Sequence, residues 1–198
     1  MNWYYIKKYL ELVYSVLLLY LIFMRKAITT GNNIGVGLGI NNQGLMITGN
    51  GNDRITGIAT IGGASIFNSH SATIDTGDGN DIIIGISLPD IYNAGTINTG
   101  NGNDSIISAG GFNGIGSLFL GDGKDYLKSF GSSNLKAGNG KDTLELTSGS
   151  YTVGISGTTV SFTKSGVIMT TSEFEKLIAG STTYDFTSLT DCQTIIVA

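Results

Sequence analysis

Apolar and polar residues alternate at short range along most of this chain. In INNQGLMITG (40–49), IFNSHSATIDTG (66–77) and IYNAGTINTG (91–100), Ile, Asn, a small residue, an apolar residue and Thr recur about every second place. That is the period of β-strands, whose side chains point to opposite faces in turn. Each of these stretches leads into a Gly-rich element: TGNGNDRIT (48–56), TGDGNDIII (76–84) and TGNGNDSII (99–107), with two further copies in LGDGKDYLK (120–128) and AGNGKDTLE (137–145). The shared form is x-G-[N/D]-G-[N/K]-D-x-[I/L]-x. The second-position glycines lie 28, 23, 21 and 17 residues apart. Paired nine-residue half-turns would give about 18. Each unit is therefore expected to be one full coil of two short strands and two turns, one turn fixed by the Gly-Asp element and the other variable in length. Five coils at the usual strand spacing make a rod of roughly 24 Å, with Ile and Leu buried between neighbours.

The flanks break this pattern. Residues 9–24 (YLELVYSVLLLYLIFM) form an apolar run containing Glu11 and bracketed by Lys7, Lys8, Arg25 and Lys26. It is short for a spanning helix of ~20 residues. Three readings stay open for residues 1–27: a signal or anchor, a mis-called start with translation beginning at Met24, or an amphipathic helix capping the end of the array. Beyond Thr147, SYTVGISGTTVSFTKSGVIMTT (150–171) predicts two or three antiparallel strands. SEFEKLIAG (172–180) predicts a short helix or a final coil, and residues 148–198 as a whole predict a C-terminal cap over the last open edge. The expected division is thus 1–27, a repeat array over 28–147, and 148–198.

Composition sharpens the picture. Thirty glycines and a single proline in 198 residues, without collagen periodicity, call for many tight turns and exclude a helical bundle. The net charge is −4, from 11 Asp and 4 Glu against 11 Lys and Arg, so nucleic acid is not an expected partner. Cys192 is the only cysteine and cannot make an internal disulfide; it is expected to be a small buried hydrophobe. A hydrolase needs a nucleophile with an orienting base or a positioned carboxylate pair. The single histidine, His70, falls in a variable linker, while Glu173 and Glu175 read as cap or surface residues. GVGLG (35–39) lacks the nucleotide-loop patterns. No enzyme is expected.

The Gly-x-Gly-x-Asp turns suit a hard cation. Glycine permits backbone angles that aim successive carbonyls into one concavity, Asp adds a charged oxygen at its rim, and calcium takes six to eight oxygens at ~2.3–2.6 Å. Stacked Asp residues ~5 Å apart repel by about 0.8 kcal/mol at water's dielectric constant and about 3 kcal/mol at an effective value of 20. A ladder of Asp53, Asp81, Asp104, Asp125 and Asp142 is thus unfavourable when empty, and a divalent cation between rungs reverses the sign. Lys124 and Lys141 replace Asn in the last two turns, which predicts weaker sites at that end.

These five elements resemble the nonapeptide of the repeats-in-toxin, or haemolysin-type, calcium-binding family, over about residues 31–147. The family's first glycine is Thr48, Thr76, Thr99, Leu120 and Ala137 here, so every copy departs at that position. The resemblance implies an all-β, right-handed parallel β-solenoid or β-roll of about five coils, and calcium as the cofactor. It also implies the ligands Gly49, Gly51 and Asp53; Gly77, Gly79 and Asp81; Gly100, Gly102 and Asp104; Gly121, Gly123 and Asp125; and Gly138, Gly140 and Asp142, the glycines through their carbonyls. By the same resemblance the chain is an extracellular or cell-surface calcium-binding protein, exported with an uncleaved C-terminal signal and folding as it binds calcium. Its expected partners are calcium ions and cell-surface or matrix components, with a membrane engaged only through residues 9–24. Two alternatives remain: a metal-free structural or adhesive solenoid, in which Asn and Asp merely build stacked turns, and the detached repeat portion of a secreted toxin or hydrolase.

Overall fold

The computed structural model describes residues 27–30, 39–59, 63–86 and 90–198, with only the backbone described at 27–30. The readings made for residues 1–26 lie outside them. The described residues are nearly all β, and most strands lie in parallel register. They form an eight-stranded, a ten-stranded and a four-stranded sheet.

Each of the first four repeats gives a strand to each sheet, and the third gives the ten-stranded sheet a second short one, Asn101–Gly102. For the second repeat these are Ile66–Asn68, Thr73–Asp75 and Ile82–Ile86. The alternating stretch read as one strand is therefore two, and the first four repeats have three or four strands where two were expected. The break is local. Asn93 is wholly buried, and its side chain donates to the Ser117 carbonyl at 3.0 Å, so its strand ends at a corner. A Cβ at Gly95, two residues on, would overlap the Ala72 carbonyl oxygen of the preceding repeat. Only glycine lets the chain bend there. In the fifth repeat no strand joins the four-stranded sheet, which ends at Phe112–Asn113.

Each sheet points one apolar column inward. The eight-stranded sheet sets Ile55, Ile83, Ile106, Leu127, Leu144 and Leu177 in register. The ten-stranded sheet sets Met46, Ile74, Ile97, Leu118 and Leu135, and the four-stranded sheet Ile40, Ile66, Ile91 and Phe112. The first column is wholly buried along its length. At about 1.5–3 kcal/mol for each side chain removed from water, these columns supply most of the driving force for stacking.

The C-terminal segment continues the sheets and then turns them. Gly149–Ser156, Thr159–Lys164 and Val167–Ser172 form an antiparallel meander, and the last of these pairs in parallel with the fifth repeat through Asn134↔Thr170. Lys176–Ala179 is a strand rather than the helix that SEFEKLIAG also allowed, and it extends the eight-stranded sheet in parallel from Thr143–Leu146. Cys192 is exposed at φ 62°, in the left-handed region, against the expected burial: it lies in a turn between strands, with Sγ 3.4 Å from Asp191 Oδ2.

Candidate functional site: the aspartate column

The Gly-x-Gly-x-Asp elements stack directly on one another. Gly49, Gly77, Gly100, Gly121 and Gly138 have φ between 87° and 106°, where side-chain-bearing residues are strained. A Cβ at Gly79, Gly102 or Gly123 would overlap the carbonyl oxygen of Gly51, Gly79 or Gly102 beneath it. Both glycines of the motif are thus required by backbone angle or by close approach.

Four columns of side chains run through these turns. The position after the first glycine alternates along the stack as Asn50, Asp78, Asn101, Asp122, Asn139. Asn101 Nδ2 donates to Asp78 Oδ1 at 2.7 Å and Asn139 Nδ2 to Asp122 Oδ1 at 2.8 Å, so no two carboxylates are neighbours in this exposed column. Two positions later, Asn52, Asn80 and Asn103 each accept the N–H of the next turn through Oδ1, at 2.7, 2.6 and 2.9 Å. The threonines that replace the first glycine of the resembled motif form a third column. Thr48, Thr76 and Thr99 donate their hydroxyls to the next turn's Thr76, Thr99 and Leu120 carbonyls at 3.0, 3.2 and 2.7 Å.

The fourth column is the aspartates, and it differs in charge. The N–H groups of Asp53, Asp81, Asp104 and Asp125 donate to Oδ1 of Asp81, Asp104, Asp125 and Asp142 at 2.7–2.8 Å. All five residues are at most 1% exposed. The carboxyls therefore sit inside the stack, not at the rim of an open concavity as expected, because those of Asp81, Asp104, Asp125 and Asp142 each cap a backbone N–H that would otherwise be orphaned at the corner. The second oxygen, Oδ2, of Asp81, Asp104, Asp125 and Asp142 is buried with no hydrogen-bond partner. Thr76 and Thr99 lie near the Asp81 and Asp104 carboxyls, but each hydroxyl proton is directed to a carbonyl of the next turn. At Asp125 and Asp142 the matching residues are Leu120 and Ala137, which carry no hydroxyl.

Burial is the main cause of the raised pKa of these groups. Asp104 is pushed up to about 7 and Asp125 to about 6, and Asp81 and Asp142 are also raised. The N–H donors of the preceding turns oppose the shift, and neighbouring carboxylates add to it. Burying several carboxyls in one column, four of them with an unsatisfied oxygen, disfavours the charged form.

The structure thus gathers the five predicted aspartates in one column and stacks the ten predicted glycines beside it. Glycine carbonyls of the turns have partners in the next turn: Gly100 accepts from Asp122 N–H at 3.1 Å and Gly123 from Lys141 N–H at 3.3 Å. Among the described residues, no three His, Cys, Asp or Glu side chains converge as a ready metal site. His70 is an exposed turn residue, as expected.

One member of the column was missed. Glu175 Oε2 accepts the Asp142 N–H at 2.6 Å, the same relation that each turn has to the next. The signal was in the sequence: Glu175-Lys176-Leu177 repeats the acid-x-[I/L] ending of the motif, with Glu for Asp and without the glycines. Compared with protein-family models, with curated proteins and with solved structures, the chain has no match.

Proposed function

We propose that this chain is a right-handed parallel β-solenoid whose stacked turns bind calcium, and that calcium binding is coupled to its folding at a cell surface or outside the cell. The observation that carries this reading is the aspartate column, four of whose buried carboxyls leave Oδ2 unpartnered. Its neighbour columns avoid adjacent carboxylates, by alternating Asn with Asp or by using Asn and Thr through the first three turns, with Lys124 and Lys141 in the last two; the inner column does not. A hard divalent cation held by carboxylates of consecutive turns, with main-chain oxygens and water completing six to eight ligands, would satisfy those oxygens and cancel the repulsion. Asp81, Asp104, Asp125 and Asp142 are the residues that would hold it. A site with Kd ~0.1 mM in ~10 mM calcium would add about 2.7 kcal/mol to folding, so several sites could decide whether the array folds. The module has a binding and structural role, without catalysis.

The metal-free alternative has its own support. Asn42, Asn68 and Asn93 form a buried ladder joined by Nδ2 to Oδ1 bonds of 2.8 Å, and Asn68 Nδ2 also donates to the Thr96 carbonyl at 2.9 Å. Such ladders hold tiers together without an ion. Far-UV circular dichroism and thermal unfolding of the full chain in chelator, calcium and magnesium decide between the two. A transition driven by calcium alone and reversed by chelation supports calcium-coupled folding. Unchanged β signal and melting temperature in all three would leave the metal-free solenoid.

A further inference from the structure

The last inter-turn junction differs from those before it. Between the first five tiers, one Gly-rich turn covers the next. Above the fifth turn there is none: Val167–Ser172 pairs with the fifth repeat only at Asn134, Leu135 and Lys136, and the chain then reaches Glu175 in three residues where the fifth repeat takes six to reach Asp142. Gly140 is consequently exposed where Gly51, Gly79, Gly102 and Gly123 are half-buried, and Glu173 and Glu175 are exposed beside it. Beneath them Asp142 is wholly buried with Oδ2 unpartnered. Its N–H bonds to Glu175 Oε2, and its own carbonyl accepts the N–H groups of Glu175 and Lys176 at 3.2 and 3.0 Å. The carboxylates that act most strongly on Asp142 are those of Glu175 and Glu173. Glu173 has φ 61° and is held by Lys136 at 3.2 Å.

We infer that this junction is a separate site for a hard divalent cation, bound by the carboxylates of Asp142 and Glu175 beside the uncovered Gly138–Gly140 turn. The inference rests on the reading that the aspartate column takes cations, and it reverses the expectation that Lys124 and Lys141 make this end the weakest. Glu175 contributes what a sixth aspartate would, its extra methylene spanning a turn three residues shorter. Water fills the coordination positions that the missing turn leaves open, as calcium tolerates.

The test is calcium titration calorimetry on the full chain and on Glu175→Gln, which keeps an acceptor oxygen for the Asp142 N–H but removes the charge. The variant should bind one calcium equivalent fewer than the wild type, with unchanged circular dichroism in saturating calcium. Equal stoichiometry and affinity in the two proteins overturns the terminal site and leaves the column intact, whereas no calcium binding by the wild type overturns the column reading itself. Hydrogen exchange of the wild type supplies the readout if the variant does not fold. The amides of Asp142, Glu175 and Lys176 should exchange at least tenfold more slowly in calcium than in chelator, and no change there refutes the site.

Discussion

Replacing Asp104 by Asn should stabilise the chain in chelator and weaken it in calcium. Asp104 lies at the centre of the column, 1% exposed, with Asp81 and Asp125 on either side. Asn retains Oδ1 for the Asp81 N–H, and it exchanges the unpartnered oxygen for a neutral amide. Each adjacent pair of charges ~5 Å apart repels by about 3 kcal/mol at an effective dielectric constant of 20. A carboxyl raised from 3.8 to about 7 is disfavoured as the anion by roughly 4 kcal/mol above that pH. Allowing for the amide's own burial, Asp104→Asn should add about 2–4 kcal/mol at pH 8 without metal, a rise of roughly 5–15 °C in melting temperature for a chain of this size. In millimolar calcium the same substitution removes a charged ligand from two junctions and should lower calcium affinity at least tenfold. Thermal unfolding followed by circular dichroism, in chelator and in calcium, reads both effects. Equal destabilisation in the two conditions would refute the reasoning, since the carboxylate would then serve only as a hydrogen-bond acceptor.

Three further outcomes follow from the same geometry. The raised carboxyls bind protons more tightly folded than unfolded, so the metal-free protein should gain stability as pH falls from 8 through about 7 and 6, with the gain complete below about 4; Asp125 alone accounts for roughly 3 kcal/mol. Urea titrations at pH 8 and pH 5 in chelator measure this, and greater stability at pH 8 contradicts it. Asn68→Ala takes one partner from each of the Asn42 and Asn93 side chains, opens a gap in the ladder and should cost about 2–4 kcal/mol in chelator and calcium alike. A difference between the two conditions would show that the ladders are coupled. Gly79→Ala should cost several kcal/mol or prevent folding, because its Cβ meets the Gly51 carbonyl at φ 144°. Gly49→Ala, at φ 95° with no atom within 4 Å of its Cβ, should cost only about 1 kcal/mol. Similar losses in the two variants would mean that backbone angle, not tier contact, dictates the glycines.

Much of this arrangement was legible in the sequence, because a repeat that stacks in register writes its contacts as a period. Asp53, Asp81, Asp104, Asp125 and Asp142 fell into one column, and the Ile and Leu that follow each by two residues fell into the buried column beside it. The antiparallel strands after Thr147 were legible from alternation alone. Glu175 was not recognised, because it keeps the acid and the Leu of the motif but has lost the glycines.

The sequence by itself determined that the described residues are nearly all β and which residues of the five repeats align, since those follow from period and alternation; the rungs added at Ala27–Thr30 and Lys176–Ala179 carry no copy of the motif. The extra strand of each of the first four repeats was settled by tertiary structure, at corners such as Asn93–Gly95, where a buried amide and a close backbone approach bend what alternation reads as one strand. The inward setting of the aspartates was settled the same way. An Asp in a turn can face water or cap a buried N–H, and only the tier stacked against it leaves an amide there to be capped. That one choice makes the column electrostatically costly, and it is the feature on which the proposed calcium chemistry rests.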